Sequence, residues 1–112
     1  MGTSTINMFV KENEVFVDFI NKEREYELRF NTFEDACQFT DQFQEAIKEK
    51  NENGTWLNKK KTFLNMAESN VCVNFDLDSY EGWQSKFSLD SKEKAKNFYE
   101  DMTEAIFGNP AL

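Results

Sequence analysis

The chain has 112 residues, a formal charge of −8 at pH 7, no histidine, and an apolar fraction of 39% that includes twelve Phe. That size and aromatic content suit one globular domain with its own core and exclude a chain disordered by composition. A pI near 4.5 makes direct binding of nucleic acid unfavourable and favours a basic protein partner, and it is also an ordinary route to solubility. The charge is also uneven, −6 over residues 1–53 and −2 over the remainder.

In chain order, "INMFV" (6–10) and "VFVDF" (15–19) are short strand-like stretches rich in β-branched and aromatic residues, with Glu12 and Asn13 as the turn between them. That turn sets Val10 opposite Val15, Phe9 opposite Phe16 and Met8 opposite Val17. Alternation then sends Met8, Val10, Val15, Val17 and Phe19 to the core and leaves Phe9 and Phe16 paired on the other side of the sheet. A third strand follows in "YELRF" (26–30), where Tyr26, Leu28 and Phe30 alternate with Glu27 and Arg29.

The period then changes from 2 to about 3.6. Over 31–47, "NTFEDACQFTDQFQEAI", Thr32 is the N-cap, and Glu34 and Asp35 occupy the first turn, where the helix dipole favours negative charge. Phe33, Ala36, Cys37, Phe39, Phe43, Ala46 and Ile47 form the buried stripe, with Gln38, Asp41, Gln42, Gln44, Glu45 and Lys48 on the wet side.

The same order then recurs. After the hinge "NENGTWLNKKK" (51–61), where Trp56 and Leu57 are expected to pack back, come "TFLNM" (62–66), "VCVNF" (71–75) and "WQSKFSL" (83–89). In the last of these Trp83, Phe87 and Leu89 alternate with Gln84, Lys86 and Ser88. A second helix over 90–106 matches the first at a constant offset of 59, pairing Thr32 with Ser91, Ala36 with Ala95, Phe39 with Phe98, Phe43 with Met102 and Ile47 with Ile106. Gly108 and Pro110 end it. The two middle strands differ by 56, and the loop "DLDSYEG" accounts for the difference. The pattern predicts an α+β fold built as a tandem β-β-β-α duplication: an antiparallel sheet of about six strands with two helices packed on one face. Residues 1–112 form a single domain of two similar halves, about 5–53 and 55–110.

Over about a fifth of the chain, "YELRFNTFEDACQFTDQFQEAI" resembles the last strand and C-terminal helix of EVH1 (WH1) domains, members of the pleckstrin-homology-like superfold. Those domains place all their strands before a single helix, whereas a helix is predicted in the middle of this chain, so the fold expectation is not taken from them.

No motif carries chemistry. The absence of histidine removes the commonest general base and metal ligand. Asp76, Asp78 and Glu81 fail as an EF-hand, because Glu81 stands where the loop needs glycine and Phe87 where it needs a bidentate Glu. Cys37 and Cys72 have no metal or redox spacing and are expected to be buried free thiols. No membrane-spanning run and no leader is visible, which gives a cytoplasmic expectation. The chain is expected to be a non-enzyme without cofactor or metal.

The candidate partner-binding residues are Phe9, Phe16, Glu12, Glu14, Asp18, Glu25, Glu27, Asp35 and Asp41. Three uses of the Phe pair stay open: core, if the sheet curls or the second half covers it; a protein interface or homodimer through the open face; or a stacking platform for single-stranded nucleic acid. The favoured function is a small acidic inhibitor whose carboxylates mimic phosphates in a basic, nucleic-acid-handling partner. Phage anti-defence proteins such as anti-CRISPRs, and immunity proteins, are analogous in size and charge.

Overall fold

A strand trio followed by a helix occurs twice in the computed structural model, which describes residues 6–53, 63–75 and 84–107. Strands β1 (Ile6–Lys11), β2 (Glu14–Phe19) and β3 (Arg24–Arg29) precede helix α1 (Phe33–Asn53). Strands β4 (Phe63–Ala67), β5 (Asn70–Asn74) and β6 (Ser85–Ser88) precede helix α2 (Lys92–Phe107). All six strands join one antiparallel sheet in the order β1-β2-β3-β6-β5-β4, so the last strand of each trio lies at the centre and the first at an edge.

Strand alternation decides which side is covered. Val15, Val17, Phe19, Tyr26 and Leu28 from the first trio share a face with Val71, Val73 and Phe87 from the second, and Phe39, Phe43, Phe98, Met102 and Ile106 of the helices complete one buried cluster there. Both helices therefore pack on one face, as the sequence predicts. The β1–β2 register is also the expected one, with Val10 opposite Val15, Phe9 opposite Phe16 and Met8 opposite Val17.

Local chemistry fixes the element ends. The Asp35 N–H donates to Thr32 Oγ1 at 3.0 Å, and the Lys94 N–H donates to Ser91 Oγ at 3.1 Å. Each such cap is worth about 1 kcal/mol. Glu12 and Glu68, the first residues of the two tight hairpin turns, both have φ of 57°, a left-handed conformation that glycine or asparagine adopts at lower cost. Behind each turn one hydrogen bond holds the end of the third strand: Phe30 N–H to the Asn13 carbonyl at 2.8 Å, and Leu89 N–H to the Ser69 carbonyl at 3.0 Å.

Three helical positions differ from expectation. Phe33, assigned to the buried stripe, is 60% exposed; side chains lean toward a helix's N-terminus, so a first-turn residue projects past the end of the packed face. Gln42, assigned to the wet side, is fully buried. It stands three residues after Phe39 and four before Ala46, inside the apolar spacing. Asp101 is 3% exposed, although a helical carboxylate ordinarily takes the wet side. Cys37 and Cys72 are free as expected but half-buried rather than buried. Trp56, Leu57, Gly108, Pro110, Trp83 and the segment containing Asp76, Asp78 and Glu81 lie outside the described residues.

Asp101 is tolerated in the core because donors from the first half surround it. Tyr26 Oη donates at 2.6 Å, and Arg24 Nη1 donates to both carboxylate oxygens at 3.1 and 3.2 Å. Lys22 Nζ lies 3.8 Å from Asp101 and 2.7 Å from Glu104. Burial, reinforced by this bond, pushes the Tyr26 phenol far above its usual range. Tyr26→Phe removes one hydrogen bond to a buried charge and is expected to cost about 1.5–3 kcal/mol, read as a lower urea midpoint at unchanged slope. An unchanged midpoint would mean that Arg24 and Lys22 alone satisfy the carboxylate.

Candidate functional site

Because both helices cover one face, the opposite parity of every strand is left outside. In the first trio this bare face carries the Phe pair: Phe9 is 60% exposed and Phe16 half-buried, with ring centroids 4.9 Å apart and planes inclined by 11°. Neither the curl of the sheet nor the second half covers Phe9, so the pair is not core.

The neighbouring rows are acidic. Asp18 lies directly opposite Glu25, and Glu27 directly opposite Phe16. Like charges opposed across an antiparallel pair destabilise it, and neither Asp18 nor Glu25 has an ion-pair partner among the described residues. Between these carboxylates and the rings lies a cleft of about 390 Å³ lined by Asn7, Phe9, Phe16, Asp18, Glu25 and Tyr26. A second cleft, of about 200 Å³, lies between Phe16, Glu25, Glu27, Asp90 and Lys94.

Toward the centre of the sheet the charges are compensated. Arg29 Nε is 3.6 Å from Glu14, its Nη2 pairs with Asp90, and Lys94 Nζ lies 3.7 Å from the other Asp90 oxygen. Glu27 is left over. A hydrogen bond with Glu14, together with desolvation and the Glu14 charge, holds its carboxyl above the ordinary value. On the bare face of the second trio Asn65 is exposed, and Cys72 and Asn74 are half-buried. A groove of about 310 Å³ there is lined by Arg29, Asn31, Asn65, Asn70, Lys86 and Ser88 among others.

The structure gathers six of the nine candidate residues, Phe9, Phe16, Glu14, Asp18, Glu25 and Glu27, on this face. Glu12 stands at the tip of the β1–β2 hairpin. Asp35 and Asp41 lie on α1, in the layer that covers the opposite side of the sheet, so they do not join the same surface. Arg29, Asp90 and Lys94 are part of the surface and were not among the candidates. Their only sequence signal was the alignment of "YELRF" with "WQSKFSL", which does not say that the two strands pair. Among the described residues no group of His, Cys, Asp and Glu could hold a metal ion, and no helix is long and apolar enough to cross a membrane.

The Glu14–Glu27 contact gives a pH signature. A carboxyl whose pKa is raised by folding contributes favourably while it is protonated, and that contribution is lost as pH rises above the ordinary value of 4.5 and through the folded value. Glu27→Gln is therefore expected to be more stable than the parent at neutral pH, with the difference shrinking as pH falls toward 4.5. Thermal melts across that range check it; a pH-independent difference would mean that folding does not raise the Glu27 carboxyl.

Comparison with protein families, curated proteins and solved structures finds no match to this chain, so what can be said of its function comes from its own surfaces.

Proposed function

We propose that the chain is a non-enzymatic protein-binding module that receives a basic partner on the bare face of β1–β3. The observation that carries this reading is the uncompensated Asp18–Glu25 pair beside an exposed stack of two phenylalanines. An opposed like-charge pair costs stability in the free protein, on the order of 0.2–1 kcal/mol. A lysine or arginine side chain entering the cleft would relieve that cost. It would gain two carboxylate acceptors and an aromatic face at once, and a guanidinium suits both.

A finer reading is that the partner handles nucleic acid and that the module inhibits it by placing carboxylates where phosphates would lie. Small size and a charge of −8 support this. The same stack would suit a single-stranded nucleic-acid platform, but four carboxylates surround it. Of the two cations on this face of the first trio, Lys11 and Arg29, the second is already held by Asp90 and Glu14. A homodimer through the first trio's face would set its own carboxylates against one another.

A titration of labelled protein with a synthetic arginine-rich peptide, followed by NMR, is expected to shift the resonances of Phe9, Phe16, Asp18 and Glu25 and to leave the outer faces of α1 and α2 unmoved. Asp18→Asn with Glu25→Gln should weaken binding about tenfold or more, without lowering the melting temperature. Capture from the source cell at low salt should yield a basic protein that high salt releases. Tight binding of a single-stranded oligonucleotide, abolished by Phe9→Ala with Phe16→Ala, would replace this reading with the stacking platform.

A further inference from the structure

We propose that the core holds a water-sized, hydrogen-bonding guest between Gln42 and Ser85. Gln42 is fully buried and Ser85 is 3% exposed. The Nε2 and Oε1 of Gln42 and the Oγ of Ser85 have no hydrogen-bond partner among the described residues. Three such polar atoms left without partners in one core are costly, and native interiors rarely keep them so.

Their places in the elements are the ground for setting them against each other. Gln42 is the tenth residue of α1, and Ser85 stands seven residues before the start of α2. The corresponding positions in the other helix and the other central strand are Asp101, tenth in α2, and Tyr26, seven before α1. Those two are bonded at 2.6 Å, from β3 across to the helix of the other half. Tyr26 reaches Asp101 past Phe98, with ring centroids 5.2 Å apart, one turn before the carboxylate.

At the opposite crossing a serine stands where the tyrosine was, and a glutamine, one methylene longer, stands where the aspartate was. β6 and α1 are packed together by Phe87 and Phe39, 4.9 Å apart. Phe87 is two residues beyond Ser85 on the same face of its strand, and Phe39 is one turn before Gln42 on its helix. Ser85 thus occupies the place from which Tyr26 spans to its acceptor, but a serine side chain is too short to span. The space that a phenol ring fills at one crossing is taken at the other by the proposed guest, between the hydroxyl and the amide.

The chemistry of the lining selects the guest. A primary amide and a hydroxyl together offer donors and acceptors and no net charge, so an ion would be left uncompensated and an apolar guest would leave all three atoms unsatisfied. A water molecule accepts from Gln42 Nε2, donates to Oε1 and exchanges a hydrogen bond with Ser85 Oγ, which gives it the two to four polar partners typical of buried waters. The site is independent of the bare face, being on the other side of the sheet.

Water–protein cross-relaxation NMR on the full chain tests this. A long-lived water in contact with the Gln42 side-chain amide protons is expected, together with an ordered water within hydrogen-bond distance of both residues in a crystal structure. Ser85→Ala removes one of its partners and should shorten its residence time. Ser85→Tyr should expel it, bond directly to Gln42 and raise the melting temperature. A direct Gln42–Ser85 hydrogen bond with no water, or a Ser85→Tyr variant that melts lower because its ring has no room, would overturn the proposal.

Discussion

Aromatic rings, more than backbone, hold the two halves of this fold together. Between β3 and β6 the registered pair is Arg29 with Ser88, a narrow seam for the centre of a sheet. The helices bridge it. Phe98 of α2 lies 6.0 and 5.2 Å from Phe19 and Tyr26 of the first trio. Phe39 of α1 lies 6.0 and 4.9 Å from Phe75 and Phe87, which belong to the second half. Phe43 and Phe98 touch edge to face at 6.4 Å across the helix pair. Each helix thus touches rings of both halves, because Phe39 also lies 5.4 Å from Phe30 and Phe98 also lies 5.6 Å from Phe87.

That interlocking decides where function can reside. Rings from both helices must meet the same central strands, so both helices occupy one side and nothing in the described chain covers the other. A sheet with one solvated face normally makes that face polar. The second trio does so with Asn65, Asn74 and Lys86. The first trio departs from it, with two stacked phenylalanines among carboxylates, and an exposed aromatic patch rimmed by charge is the kind of surface that marks a contact.

Most of the scaffold was legible because its signals are local. Thr32 and Ser91 announce helix starts through hydrogen bonds spanning three residues, and the Glu12–Asn13 turn sets the whole β1–β2 register. What could not be read depends on contacts distant in sequence. The buried bond from Tyr26 to Asp101 spans 75 residues, and the burial of Gln42 depends on how the rest of the fold packs around α1. The candidate site was half legible for the same reason. Alternation placed Phe9 opposite Phe16, but that Glu14, Asp18, Glu25 and Glu27 stand beside them came only with the strand register. A count of charges carries no direction, however, so Asp35 and Asp41 were grouped with residues from which the whole sheet separates them.

The distribution of charge on the bare face also argues against solubility as its only purpose. Along one row Lys11, Glu14 and Arg29 stand opposite one another in alternating sign, the arrangement expected where a surface is merely being kept wet and stable. At the far end of the same strands the rule is broken by Asp18 opposite Glu25, with the Phe9–Phe16 stack between the two rows. A solubilising surface has no reason to concentrate its unfavourable pair beside its most exposed rings. A surface shaped for a cation does, because repulsion in the free state and attraction in the bound state both increase the gain on docking. The compensated end near Arg29 and Asp90 would then give a bound segment a direction, with its positive side chains toward Asp18 and Glu25.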